Sequence, residues 1–238
     1  MEKGFLALDT VVTCVFNYPQ CFDAEEYAHL YTPLRRERIA RASLASVKMQ
    51  SAAAELAYLA ARKLAGIGDG SACYSYAENG RPVISGGFIS MTHTEGCGAA
   101  AVSSVPVGVD AEKLRDLDLR IAQRMLIKDE LAVLDRADDK PGTLLSYWTA
   151  KEACAKLSGE GIPALSRLSY DRGQGSVYDA AGGKTYSVDQ RRLALSNPFG
   201  EVLLAVCTER SAAHILAIFN DAETIAAYVE AHGDSRNA

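Results

Sequence analysis

The chain has 238 residues, of which 48% are apolar and 23% charged, and a formal charge of −5. That length admits one large domain or two modest ones with a filled core, and the composition is that of a globular protein. The acidic balance argues against a general nucleic-acid binder, whose phosphate contacts need a basic surface, and no stretch reaches the roughly 20 apolar residues of a membrane-spanning helix.

In chain order, Phe5 to Phe16 is apolar and β-branched enough for a first strand. It lacks the basic flank and small-residue cleavage site of a secretory leader, so none is expected. Ala24 to Tyr31 is helix-like, and Pro33 stands where a new helix can start. Leu34 to Leu64 is rich in Ala, Leu, Arg and Lys, with Gly66 as its stop. Gly66 to Gly80 reads as a loop containing a short strand. Short strands are predicted at Pro82–Ile84, Phe88–Thr92, Gly98–Ser103 and Val107–Asp110. A second round follows: helices over Leu117–Met125, Asp129–Arg136 and Thr143–Lys156, the last stopped by Gly159 and Gly161. Strands are then predicted at Ser166–Tyr170, Thr185–Val188, Arg192–Ser196, Val202–Thr208 and His214–Phe219, and a closing helix over Ala222–Ala231. Each round gives helices beside a mostly antiparallel sheet, an α+β pattern. The rounds meet near Pro106, which predicts an N-terminal half over 1–106 and a C-terminal half over 107–238, with ligands favoured in the cleft between them. The six cysteines (Cys14, Cys21, Cys73, Cys97, Cys154, Cys207) form no C-x-x-C pair, and free thiols in a reducing cytoplasm are expected.

The residues that could carry chemistry cluster around that junction. Asp110 and Glu112 lie two apart in a predicted strand, so both carboxylates point to one side. They repel unless a cation lies between them, and Mg²⁺ suits such a pair because it completes its shell with phosphate oxygens and water. Taken alone, the pair also fits a solvated strand end. Glu152 and Lys156 lie four apart on a helix and share a face, a pattern equally shown by ordinary exposed ion pairs. Trp148, the only tryptophan, precedes Glu152 by one turn and would dry it, raising its basicity. His93, between Thr92 and Thr94, could grip a phosphate or simply be a structural histidine. Arg35, Arg36, Arg38 and Arg41 form a basic cluster in an acidic protein, with Arg35 and Arg38 on one face. Three carboxylates and a lysine are what a chain needs to hold a hard divalent cation against a phosphate ester.

The order and spacing of these motifs resemble the 4′-phosphopantetheinyl transferases, in the larger monomeric form associated with surfactin synthetase. Val107-Gly108-Val109-Asp110-Ala111-Glu112, then Trp148-Thr149-Ala150-Lys151-Glu152-Ala153-Cys154-Ala155-Lys156, then Gly159-Glu160-Gly161, carry the resemblance. Pro33 with Arg35 and Arg38, Gly80-Arg81-Pro82, and Phe88 to Thr94 extend it. The resemblance implies a pseudo-dimer of two similar α+β halves with the active site at their interface. It implies transfer of 4′-phosphopantetheine from coenzyme A to a serine of an apo acyl or peptidyl carrier protein, releasing 3′,5′-ADP. Asp110, Glu112 and Glu152 would hold Mg²⁺. Lys156 would neutralise the pyrophosphate, Glu152 or a water beside Glu112 would take the serine proton, and His93 would contact the phosphates. Arg35, Arg38, Ser51, Arg81 and Thr92 would surround the 3′-phosphate and adenosine. A monomer, with no nucleic-acid or membrane partner, is expected. Gln50 stands where many relatives carry arginine, which Lys48 could replace, and Glu130 is a secondary candidate acid. Two other readings share the same residues: a Mg²⁺-dependent phosphodiesterase or pyrophosphatase that uses water, and a non-catalytic module that binds coenzyme A or a carrier protein.

Overall fold

The computed structural model describes residues 9–67, 73–115, 118–196 and 198–231. In order they form β1 (Thr10–Asn17), α1 (Pro33–Arg41), α2 (Ala45–Ala65), β2 (Ser75–Tyr76), β3 (Pro82–Val83), β4 (Phe88–Thr94), β5 (Cys97–Ser103) and β6 (Val107–Lys113). Then come α3 (Ala122–Met125), α4 (Lys128–Arg136), α5 (Lys140–Ser158), β7 (Leu168–Asp171), β8 (Ser176–Asp179), β9 (Lys184–Ala194), β10 (Glu201–Thr208), β11 (Ala213–Phe219) and α6 (Ala222–Glu230). The fold is mixed α+β, as the element pattern predicts. A four-stranded sheet runs β11-β1-β5-β4, a five-stranded sheet runs β6-β10-β9-β8-β7, and β2 pairs with β3.

Side-chain alternation explains how the layers stack. On β5, Ala100 and Val102 turn to the cluster that holds α2, while Cys97, Ala99 and Ala101 turn the other way. That second face meets Val107, Val109 and Ala111 of β6 and Val202, Leu204 and Val206 of β10. On β10, Ala205 and Cys207 face the cluster that holds α5. Strands buried on both faces carry continuous apolar runs. The order of layers is therefore α2, first sheet, second sheet, α5.

Each long helix lies directly on a strand through one glycine. A Cβ on Gly98 of β5 would stand 2.3 Å from the backbone of Ala53 and Ala54 in α2. A Cβ on Gly108 of β6 would stand 1.9 Å from the carbonyl oxygen of Ala153 in α5. No side chain fits at either place.

Several expectations need correction. Ala24 to Tyr31 forms successive turns, held by bonds such as Leu30 N–H to Tyr27 O at 3.0 Å, rather than a helix. The stretch Leu34–Leu64 is two helices, because Ala42 and Leu44 are extended. The break matters: Arg35 and Glu55 would lie about 30 Å apart along one continuous helix, yet they are 3.1 Å apart. Thr185–Val188 and the first three residues of Arg192–Ser196 belong to one eleven-residue strand, β9, which ends at Ala194, and β8 has no counterpart among the predicted strands. Most pairings are antiparallel, but β1 and β11 pair in parallel. With α6, β11 thus joins the first sheet although both follow residue 107. Of the predicted segments, Leu117, the start of Phe5–Phe16 and residues 68–72 of the Gly66–Gly80 loop lie outside the described residues. Cys14, Cys21, Cys97, Cys154 and Cys207 are in no disulfide. Among the described residues, no helix is long and apolar enough to cross a membrane.

Candidate active site

The site begins with two strand edges laid side by side. Ser90, Thr92 and Thr94 alternate along β4 and so face one way, towards β6 at the edge of the other sheet. Ser90 Oγ accepts from the Val109 N–H at 3.0 Å, and Thr94 Oγ1 accepts from the Lys113 N–H at 3.4 Å. Between them Thr92 Oγ1 donates to Asp110 Oδ1 at 3.1 Å. Hydroxyls here do what backbone ladders do within a sheet.

Asp110 is the centre of the arrangement. It is buried, and Lys156 reaches across from α5 to donate to its Oδ1 at 2.7 Å and to the Val109 carbonyl at 3.1 Å. The close contact at Gly108 is what brings α5 near enough for this reach. Among the described residues Asp110 Oδ2, which is buried, has no hydrogen-bond partner, a costly state for half of a carboxylate. Glu112 follows on the same strand, half-buried, and accepts from Arg115 Nη2 at 3.3 Å. Burial, with Asp110 nearby, raises its pKa against the opposing pull of Arg115 and Lys156. Glu152 on α5 is raised to about 7 by burial first and then by Asp110 and Glu112, with Lys156 acting against them. Trp148 is half-buried against the core cluster under α5.

A cleft of about 300 Å³ opens beside this group, and Asp110, Thr92 and Lys156 share its wall with His93, Arg35 and Arg38. His93 sits exposed on its rim. Desolvation and the cations Arg35, Lys156 and Arg38 lower its pKa to about 4, so the imidazole is neutral at physiological pH. A second lobe of about 240 Å³ continues past Lys156 along Gly80, Arg81, Pro82 and Met91.

The four arginines divide. Arg36 donates to the Ala28 and Tyr31 carbonyls, and Arg41 pairs with Glu37. Arg35 is buried, with Nε on Glu55 and Tyr74 and Nη1 on Ser51 at 3.0 Å. Ser51 therefore stands behind Arg35. Arg38 is exposed and, among the described residues, has no hydrogen-bond partner; it is the free cation of the cleft. Arg81 Nη1 donates to the Leu157 carbonyl at 2.9 Å, satisfying the end of α5. Lys48 is paired with Glu25. Glu130 accepts from Lys151, from the Ile127 N–H and from the Tyr170 N–H, so its oxygens are committed to holding the fold rather than to a site.

Sequence reasoning missed Glu55 and Tyr74. The signal was available: Glu55 is a lone acid in Ala52–Ala61, where a carboxylate must find a partner or become very costly.

Among the described residues, no three acids, histidines or cysteines stand close enough together to form a ready metal cage. The donor chemistry nevertheless fits a hard divalent cation: Asp110 raises the pKa of both Glu112 and Glu152, and its own buried Oδ2 has no hydrogen-bond partner among the described residues. Mg²⁺ needs only one or two protein carboxylates when phosphate and water complete its shell.

A family model described as the 4′-phosphopantetheinyl transferase superfamily matches residues 106–207. The chain is 32% identical over 150 residues to the 4′-phosphopantetheinyl transferase psf-1 of Bacillus pumilus, covering 57% of this chain and 60% of that one. It is 30% identical over 115 residues to the 4′-phosphopantetheinyl transferase HetI of Nostoc sp., covering 43% and 48%. With the 4′-phosphopantetheinyl transferase Sfp of Bacillus subtilis it shares 29% over 130 residues, covering 49% and 58%. The matches thus span between about half and three fifths of the length of these relatives. The matched residues 106–207 hold Asp110, Glu112, Glu152 and Lys156, so the acids and the lysine of the site all lie in the part of the chain that is similar to the 4′-phosphopantetheinyl transferase superfamily.

Proposed function

We propose that this chain transfers the 4′-phosphopantetheine group of coenzyme A to a serine hydroxyl of an apo acyl or peptidyl carrier protein, with Mg²⁺ as cofactor and 3′,5′-ADP as the second product. One observation carries the reading: a buried Asp110, held by Lys156 and Thr92 with its other oxygen unpartnered among the described residues, stands at the wall of a cleft lined by cations. A carboxylate so placed among cations suits a metal-bound, doubly ionised pyrophosphate.

In this reading Arg38 and Arg35 take the 3′-phosphate, and His93, neutral, donates to a phosphate oxygen from the rim. Arg81, Thr92 and Ser51 complete or support the nucleotide end, Arg81 through its lobe and Ser51 through Arg35. Asp110, Glu112 and Glu152 would hold Mg²⁺, which would supply charge neutralisation on the pyrophosphate. Glu152, with a pKa near 7, is suited to accept the serine proton, Glu112 being the other acid in reach. The serine oxygen forms a bond to the β-phosphorus, and the bond from that phosphorus to the bridging oxygen breaks. Its electron pair leaves with 3′,5′-ADP, and Lys156 neutralises that developing charge. Two similar halves meeting near Pro106 would place the coenzyme on one side (1–106) and the acids on the other (107–238), a division that β11 and α6 cross. A cytoplasmic monomer is the state we expect.

Mass spectrometry of an apo carrier protein incubated with coenzyme A, Mg²⁺ and this protein tests the reading. One added phosphopantetheine, lost with EDTA and lost in Asp110→Ala, supports it. Free phosphopantetheine formed without any carrier would instead indicate a hydrolase, and binding of coenzyme A with no product a silent module.

A further inference from the structure

Glu55 lies in the middle of α2 with no exposure, among alanines and leucines. Four donors converge on it. Oε1 accepts from the Thr32 N–H at 3.0 Å and the Thr32 hydroxyl at 2.6 Å, and Oε2 accepts from Arg35 Nε at 3.1 Å and the Tyr74 hydroxyl at 3.0 Å. A carboxylate this deep is tolerable only with a counter-ion, which Arg35 supplies.

Two details show that the bond set works outward as well. Thr32 is the residue at which α1 starts, and its side chain makes no capping bond to the first turn. Threonine normally caps by accepting from a helix amide; here the hydroxyl is given to Glu55 instead. The first turn of α1 is therefore docked on α2 through one carboxylate. That turn carries Arg35, and Arg38 follows one turn later. Arg35 is further fixed by Ser51 on Nη1 and Met91 Sδ on Nη2, yet each of these nitrogens has a second N–H that no described residue takes up, and the residue lines the cleft.

We propose that Glu55 is a positioning residue for anion recognition: by holding Thr32 and Arg35 it fixes the pair Arg35 and Arg38 at the geometry that takes the nucleotide 3′-phosphate. This rests on the coenzyme A reading above, though not on transfer to a carrier. A guanidinium already held in place loses less freedom when an anion arrives, so the contact is stronger for the same hydrogen bonds. Glu55 also removes the freedom of the whole turn.

Calorimetry with 3′,5′-ADP and with 5′-ADP, which lacks the 3′-phosphate, tests this without any catalytic step. The wild-type protein should prefer 3′,5′-ADP. Glu55→Gln keeps the size and the acceptor for Thr32 but removes the charge facing Arg35. It should weaken 3′,5′-ADP by about tenfold or more, the range of a charge-assisted contact, and change 5′-ADP by less than about threefold. In turnover it should raise KM for coenzyme A more than it lowers kcat, and Glu55→Asp should restore part of the preference. Tyr74→Phe keeps the ion pair and serves if Glu55→Gln does not fold; it should lose a smaller part of the same preference. A folded Glu55→Gln, or failing that Tyr74→Phe, that keeps the wild-type preference would overturn the positioning role and leave Glu55 a purely structural residue. A wild-type protein that prefers neither nucleotide would overturn the reading of the cleft itself, and the proposal with it.

Discussion

Two buried ion pairs, one in each of the regions that meet at the cleft, look alike and behave differently. Lys151 and Glu130 are both buried, and the ammonium is spent completely: it donates to Glu130, to the Met125 carbonyl at 2.8 Å and to the Leu165 carbonyl at 3.3 Å. An ammonium has three protons, so nothing is left over. Arg35 and Glu55 are equally buried, yet a guanidinium has five, and the described contacts leave one free on each terminal nitrogen. The first pair can only hold α3, α4 and α5 together. The second holds α1 on α2 and still has donors to offer a ligand. Saturation, rather than burial, separates scaffolding from recognition.

The largest expected effect tests the sealed pair. Lys151→Met leaves Glu130 as an uncompensated buried charge and should cost about 3–5 kcal/mol of stability in denaturant titration. Adding Glu130→Gln should recover part of that loss. Nucleotide affinity of the folded fraction should not change, since no donor of Lys151 faces the cleft. Arg35→Ala should cost a similar amount, about 3–5 kcal/mol, and in addition weaken 3′,5′-ADP. If it loses stability alone, the distinction between the pairs collapses.

Arg38→Ala sharpens the comparison from the other side. This exposed residue should change stability by less than about 0.5 kcal/mol, while raising KM for coenzyme A by about tenfold, with much less effect on the 3′-dephospho form. A change in kcat without a change in KM would place Arg38 elsewhere.

A smaller, pH-dependent effect follows from Glu152, an acid without the saturating donors of Glu130. Its folded pKa of about 7 lies above the unfolded value. The folded protein therefore binds the proton more tightly than the unfolded one between roughly pH 4.5 and pH 7, and stability falls as pH rises through that window. In EDTA, the melting temperature of Glu152→Gln relative to wild type should rise from pH 5 to pH 8, and Mg²⁺ should shrink the difference. A flat difference would mean that Glu152 is not strained. The smallest effect is Arg81→Ala, which loses one bond to the end of α5 and should cost about 1 kcal/mol.

The acids on β6 and the pair Glu152 and Lys156 on α5 were legible from the sequence because period 2 and period 3.6 fix which residues share a face. Their approach to each other was not. It depends on Gly108, whose missing side chain lets α5 lie on β6, and on three hydroxyls of β4 that read individually as ordinary strand residues. The basic cluster was legible as a cluster but not as four separate fates, because local spacing could not show that Ala42–Leu44 breaks the helix and sends Arg35 back to Glu55. Lys151 sits inside the most recognisable motif of the chain yet turns to Met125, Glu130 and Leu165, away from the side that carries its neighbour Glu152. One turn of helix thus serves two purposes, which a linear motif cannot display. β9 was misread as two strands because Asp189-Gln190-Arg191 resembles a polar turn. In the fold Gln190 bonds Ser146 and Thr149 of α5, and Asp189 pairs with Arg191.

The parallel pairing of β1 with β11 has a consequence for how the molecule is made. Register runs from Thr10 with Ala213 to Phe16 with Phe219, so partners are separated by almost the whole chain. A ribosome that has released β1, β4 and β5 has an incomplete sheet, with one edge of β1 unpaired until β11 emerges. Contacts of such long sequence separation form slowly, and exposed strand edges invite wrong partners meanwhile. In the first sheet β1 precedes and β11 follows every strand of the second sheet, so the second sheet and α5 can assemble before the first sheet is whole.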